Sequence, residues 1–260
     1  MYSREDTKSV ENVGEKGVKK EVKNGQNDFL ERIVDVMREN QKFLLPYSNP
    51  QNKSVGHEVL GLISDADRHT RFFTSGNAAE SYADSCIRPY VLLILRPFSH
   101  AMYTDLLSSN TVACFIELRL IVESLVKFYY ADMKYPEKAS FQEKIRLLEE
   151  DMRSGEKSLS NLVRECGWEK STKKVGYLWR QLSEGWLHTR GIVERIVDEV
   201  TSKTGIPAWL RGHQAYTQAD LGVLQDLRKT IAAFRHVQAQ VIEHWKNLLQ
   251  NQSPKAEKTS

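Results

Sequence analysis

The sequence predicts an all-α protein: an irregular helical bundle around one buried central helix at about 111–131, with a long C-terminal helix packed along it. Three observations carry this. Wound at 3.6 residues per turn, 111–131 gives a wholly apolar half-cylinder: Cys114, Phe115, Leu118, Ile121, Val122, Leu125, Val126, Phe128 and Tyr129. Its other half mixes Ala113, Ile116 and Leu120 with only a narrow charged stripe, Arg119, Glu123 and Lys127, at i, i+4 steps. Near the C-terminus, Leu224, Leu227, Ile231, Phe234, Gln238, Val241, Trp245 and Leu248 alternate steps of three and four, a heptad seam with one polar interruption. Finally, YVLLIL at 90–95 is short enough for a buried strand, but no neighbouring run alternates as a partner strand would, so it reads as buried helix.

In chain order, residues 1–26 mix Lys and Glu and are almost free of large apolar side chains, so they are expected to form a disordered tail. Order is expected from Asn27 or Asp28, where Phe29, Leu30, Ile33, Val34 and Met37 line one face of a first helix that Pro46 must end. Ser54 is placed to cap a second helix running towards Phe73. Its end, RHTRFF at 68–73, is either a surface for phosphate and base or a helix terminus favourable to cations, with two Phe turned into the core; the second is preferred. From 77 to 107 the pattern is helical, with Pro89 and Pro97 expected to kink or break it. FQEKIRLLEEDMR at 141–153 is amphipathic, its charges a solvated face. A short helix at 159–167 and a connector at 168–174 lead to Val175, Leu178, Trp179, Leu182 and Trp186 at helical spacing. Residues 204–216 read as a connector or lid, and Thr217-x-x-Asp220 as a capping box opening the last helix. A single domain at 27–250 follows, with a disordered 251–260 tail.

Composition excludes more than it assigns. A net charge of +3, from 37 Lys and Arg against 34 Asp and Glu, gives no general attraction to nucleic acid or anionic lipid. Cys86, Cys114 and Cys166 are scattered without a CxxC or a nearby His pair, so neither a disulfide framework nor a zinc site is expected, and a cytoplasmic setting fits. No apolar run is long enough to span a membrane, and the central helix carries four ionisable groups, each costing roughly 2.5 kcal/mol or more in lipid. Phosphate-binding, dinucleotide-binding, metalloprotease and esterase motifs are all missing, and no cofactor or metal is expected.

Two places put polar groups where apolar ones belong. Arg119, Glu123 and Lys127 form a plus, minus, plus ladder on the central helix, in which each charge offsets its neighbour's desolvation; within a cleft the same ladder can bind phosphate. In 177–191, Arg180, Ser183, Glu184, His188 and Arg190 sit among Trp179, Trp186 and Leu187, and His188 is either a packed, hydrogen-bonded side chain or an acid/base near neutral pH.

Together, R-x3-E-[ST] (Arg119, Glu123, Ser124) and LSE-x3-H (Leu182, Ser183, Glu184, His188) resemble uncharacterised members of the HEPN-like all-helical superfamily. The resemblance implies a helical module that is either a non-catalytic binder of protein or RNA or a metal-independent ribonuclease of toxin or defence type. The ribonucleases are marked by an Arg and a His four to six residues apart. Here Arg180 to His188 and Arg228 to His236 each have seven residues between them, so the signature is out of register. The sequence reading is therefore a non-catalytic or regulatory module. The alternatives are a ribonuclease using His188, Arg119, Glu123 and Arg180, or a homodimer formed through the C-terminal heptads.

Overall fold

The computed structural model describes residues 11–44, 54–136, 138, 140–153, 159–165, 169–186, 197 and 214–252; side chains are described from 28 in the first stretch, except for 160 and 163 in the fifth, from 175 in the sixth and up to 248 in the last. Among these residues every regular element is helical and there is no strand. None of the described helices is long and apolar enough to cross a membrane.

Helix α6 (Thr111–Lys134) is the centre. Asn110 caps it, its side-chain oxygen accepting from the Ala113 amide at 3.3 Å. The expected apolar face is buried from Cys114 to Tyr129, with only Phe128 part-exposed, and α6 packs against most of the other helices. Helix α10 (Leu221–Gln252) lies along it. Its seam from Leu224 to Trp245 is buried within this chain, packed against α6 and α2 (Val55–Thr74). Gln238 is buried in that seam with neither end of its amide partnered. The capping box before α10 forms as expected, with Thr217 and Asp220 bonded reciprocally around a 3-10 turn at Gln218–Asp220.

Ser54 caps α2 through the His57 amide. At the far end of α2, Phe73 packs against Trp245 and Tyr82, while Arg68 binds Asp65 at 2.9 Å. Burial, then the charges of Arg68 and Lys246, push His69 down to about 4, which leaves it a neutral core imidazole. Gly61 lies where α2 meets α10, and a Cβ there would crowd the Arg235 guanidinium. Arg235 passes over this glycine to reach Asp65 at 2.8 Å and Glu58 at 2.9 Å.

The region with two prolines resolves in a specific way. The chain breaks after α3 (Asn77–Ser81), restarts as α4 (Ile87–Pro89), passes through a π-helical segment (Tyr90–Leu95) and continues as α5 (Arg96–Leu107). Each proline removes one backbone donor, and the wider i→i+5 turn between them keeps the helix running. Leu93 on this segment is 66% exposed, so the YVLLIL run is buried only on one side.

Three expectations need correction. Helix α1 spans Glu11–Leu44, reaching into the stretch read as a tail, and its apolar face at Phe29, Leu30 and Val34 is exposed. Among its described side chains only those of the last turns, Asn40 and Leu44, are buried, where α1 meets α5 and α2. The charges of α7 (Phe141–Arg153) are not all solvated: Lys144 is buried and binds Asp132 at 3.1 Å. Helix α9 (Glu169–Trp186) already includes most of the expected connector, and α8 (Leu159–Glu165) precedes it. Residues 1–10, 187–196, 198–213 and 253–260 lie outside the described residues, and with them both expected terminal tails in part, most of the expected lid, and His188.

Candidate binding groove

Helices α6 and α9 pack against each other, and this brings together the two sequence patterns that place polar groups in apolar surroundings. The Arg119 Nε donates to the Ser183 Oγ at 3.0 Å, and the guanidinium stands 5.8 Å from the Trp179 ring centre. Ser183 is buried, whereas Arg119 and Glu123 keep 33% and 24% of their side chains exposed. Glu123 reaches Lys127 at 2.7 Å and Arg119 at 3.7 Å. The ladder is thus an ion-paired stripe whose upper cation is anchored across to α9. Arg180, the remaining described candidate, is exposed on α9. His188 lies outside the described residues.

One turn towards the start of α6, the interface opens. Phe115 stacks on Trp186 with ring centres 3.8 Å apart and planes 12° from parallel. Together with Leu178 and Leu182 this pair floors a groove of about 650 Å3 between α9 and α10. Its rims carry Tyr177, Gln181 and Glu184 from α9, and Asp226, Lys229 and His236 from α10. Tyr177 is 61% exposed at the mouth and accepts from the Gln181 amide at 2.7 Å. The volume falls in the range of ligand sites, and an apolar floor with polar groups on the rims is what such sites need.

The sequence marked the Arg119 ladder and the Ser183 segment but not the groove. Trp186 and Phe115 read as two core residues on separate helices, and only their packing shows that the stack forms a floor. Two further polar sites have no counterpart in the sequence reading. Asp132, buried at the other end of α6, accepts from the Cys86 amide at 2.8 Å, the Ile87 amide at 3.2 Å, the Trp245 indole at 3.0 Å and the Lys144 ammonium at 3.1 Å. Glu117, buried near the start of α6, faces Asp105 instead; burial, then the Asp105 charge and hydrogen bond, push it up to about 8. Neither lies on the groove. No set of three or more His, Cys, Asp or Glu among the described residues is arranged to hold a metal ion.

The fold and groove define an all-helical bundle with an aromatic-floored cleft. No family model, curated protein or solved structure matches the chain.

Proposed function

We propose that this protein is a non-catalytic, HEPN-like helical module that binds a protein partner in the groove between α9 and α10. The observation that carries the reading is the state of the charges beside that groove. Arg119 is held by Ser183 and Glu123, and Glu123 is held by Lys127, so the ladder offers no free cation cluster for a phosphate backbone. The rims likewise mix Glu184 and Asp226 with Lys229 and His236. An apolar, aromatic floor between mixed rims suits a side chain or helix face of a protein better than RNA. The HEPN-like resemblance allows this role, and the out-of-register Arg and His favour it over cleavage.

The test places a photo-crosslinking residue at Tyr177 of the full chain in its native cell. The expected result is one discrete protein adduct, lost when Ala233, an exposed wall residue, is changed to Arg, and absent when the crosslinker sits at the exposed Lys42. A parallel assay incubates the purified protein with labelled single-stranded RNA in EDTA. Cleavage there that disappears in His188→Ala would overturn the binding reading in favour of the ribonuclease.

A further inference from the structure

Helix α1 carries an apolar stripe that the rest of the described chain leaves open. Phe29, Leu30 and Val34 are 58%, 59% and 45% exposed, and Ile33 and Met37 beside them are only half-buried. Their spacing of three and four residues puts them on one face, about 12 Å long from Phe29 to Met37 at 1.5 Å per residue. Helix α1 packs chiefly on α5 and α2, and no α1 residue lines the groove between α9 and α10. The chain's own α1 therefore fills neither its own groove nor a place where its stripe is covered.

The groove matches that stripe in length and in charge. Its wall on α9 runs from Tyr177 to Trp186 and its wall on α10 from Asp226 to Val237, about 14 and 17 Å at the same rise per residue. With α6 as its floor, it is the open fourth corner of a bundle of three helices, a shape that takes the apolar face of a helix. On α1, Glu31 and Arg32 are both exposed and, being one residue apart, leave the helix on opposite flanks of the stripe. The rims also carry opposite signs, Lys229 exposed on α10 and Glu184 exposed on α9. A helix seated with Glu31 towards Lys229 sets Arg32 towards Glu184, so one orientation satisfies both flanks.

We propose, on the reading of the groove as a protein site, that its partner is a second copy of this chain: the Phe29–Met37 stripe of α1 lies in the groove of the other copy, over the Phe115–Trp186 stack. Each copy offers one stripe and one groove, so two copies cover all four surfaces when each lends its α1 to the other, and the assembly closes as a symmetric dimer.

The experiment is sedimentation of the purified full chain, followed by mixing of two variants. The wild type is expected at twice the mass of one chain. A helix variant, Phe29→Asp with Leu30→Asp, and a groove variant, Ala233→Arg, alter only exposed residues and so should stay folded. Each alone should dissociate, with Kd raised about 30-fold or more, as loss of a central apolar anchor requires. In a mixture, a photo-crosslinker at Tyr177 of the helix variant should capture α1 of the groove variant, whereas the same crosslinker in the groove variant should capture neither chain. Capture in both directions, or a dimer that survives in either variant alone, overturns the proposal, since stripe would then meet stripe or another face. A monomeric wild type also overturns it. If the Tyr177 crosslinker of that monomer still captures a different protein in the cell, only the choice of partner has failed; if it captures none, the reading of the groove as a protein site fails with it.

Discussion

Helix α6 buries two carboxyl groups, and their surroundings are opposite. Asp132 near its end receives two backbone amides, an indole N–H and an ammonium, and so is fully partnered inside the core. Glu117 near its start receives only another acid and is held neutral. Similar burial has thus led to an ion pair in one case and a retained proton in the other. The number of donors that the tertiary structure delivers decides between them. The Asp132 knot also acts at a distance. Its oxygens cap α4, anchor α7 through Lys144 and fix Trp245 of α10, so one side chain joins four helices.

The largest expected effect comes from breaking the well-supplied site. Asp132→Ala leaves the Lys144 ammonium buried without its counter-ion and should cost about 3–5 kcal/mol of unfolding free energy in urea. Adding Lys144→Met should recover part of that loss, since it removes the stranded charge. If the double variant is as unstable as the sum of the two single ones, the pair is not coupled and the comparison fails.

A smaller effect of opposite sign is expected at the poorly supplied site. Glu117 titrates near its ordinary 4.5 in the unfolded chain and near 8 in the fold. Between those values the unfolded chain releases a proton that the folded protein keeps, so stability from this group is complete below pH 4.5, declines as pH rises, and levels off above 8. Glu117→Gln removes that decline and should stabilise the protein by about 1–3 kcal/mol at pH 8, with little change at pH 4. Thermal midpoints across this range would check it, and an equal shift at both ends would rule out a retained proton.

The smallest effect belongs to the Arg119, Glu123 and Lys127 ladder, which has both donors and solvent. Arg119→Met and Glu123→Gln should each change stability by less than about 1 kcal/mol, with a coupling of roughly 0.3–0.5 kcal/mol in the double-mutant cycle. A coupling several times larger would mean that the stripe is as buried as Asp132.

Much of the architecture is legible in short stretches of the chain. The apolar half of α6, the α10 seam, the Ser54 cap and the Thr217–Asp220 box all depend on residues within a few positions of each other, and helical periodicity makes such neighbours visible. Of the candidate site, Arg119, Glu123 and Ser183 are legible as polar groups in apolar surroundings, and packing joins Arg119 to Ser183. The groove is not legible, because it lies where three helices separate and no single helix records that gap.

By itself the sequence determined that the fold is all-α and which face of α6 and of α10 seeks burial, since those depend on local spacing and on the free energy of removing apolar surface from water. Only the tertiary structure decided which of those faces finds a partner. Phe29 and Leu30 are as apolar as the α6 face yet stay exposed because, among the described residues, no helix packs over that length of α1. The same holds for the buried carboxyl groups: Asp132 meets Lys144, while burial and Asp105 push Glu117 up, because the packing of separate helices sets a different partner against each.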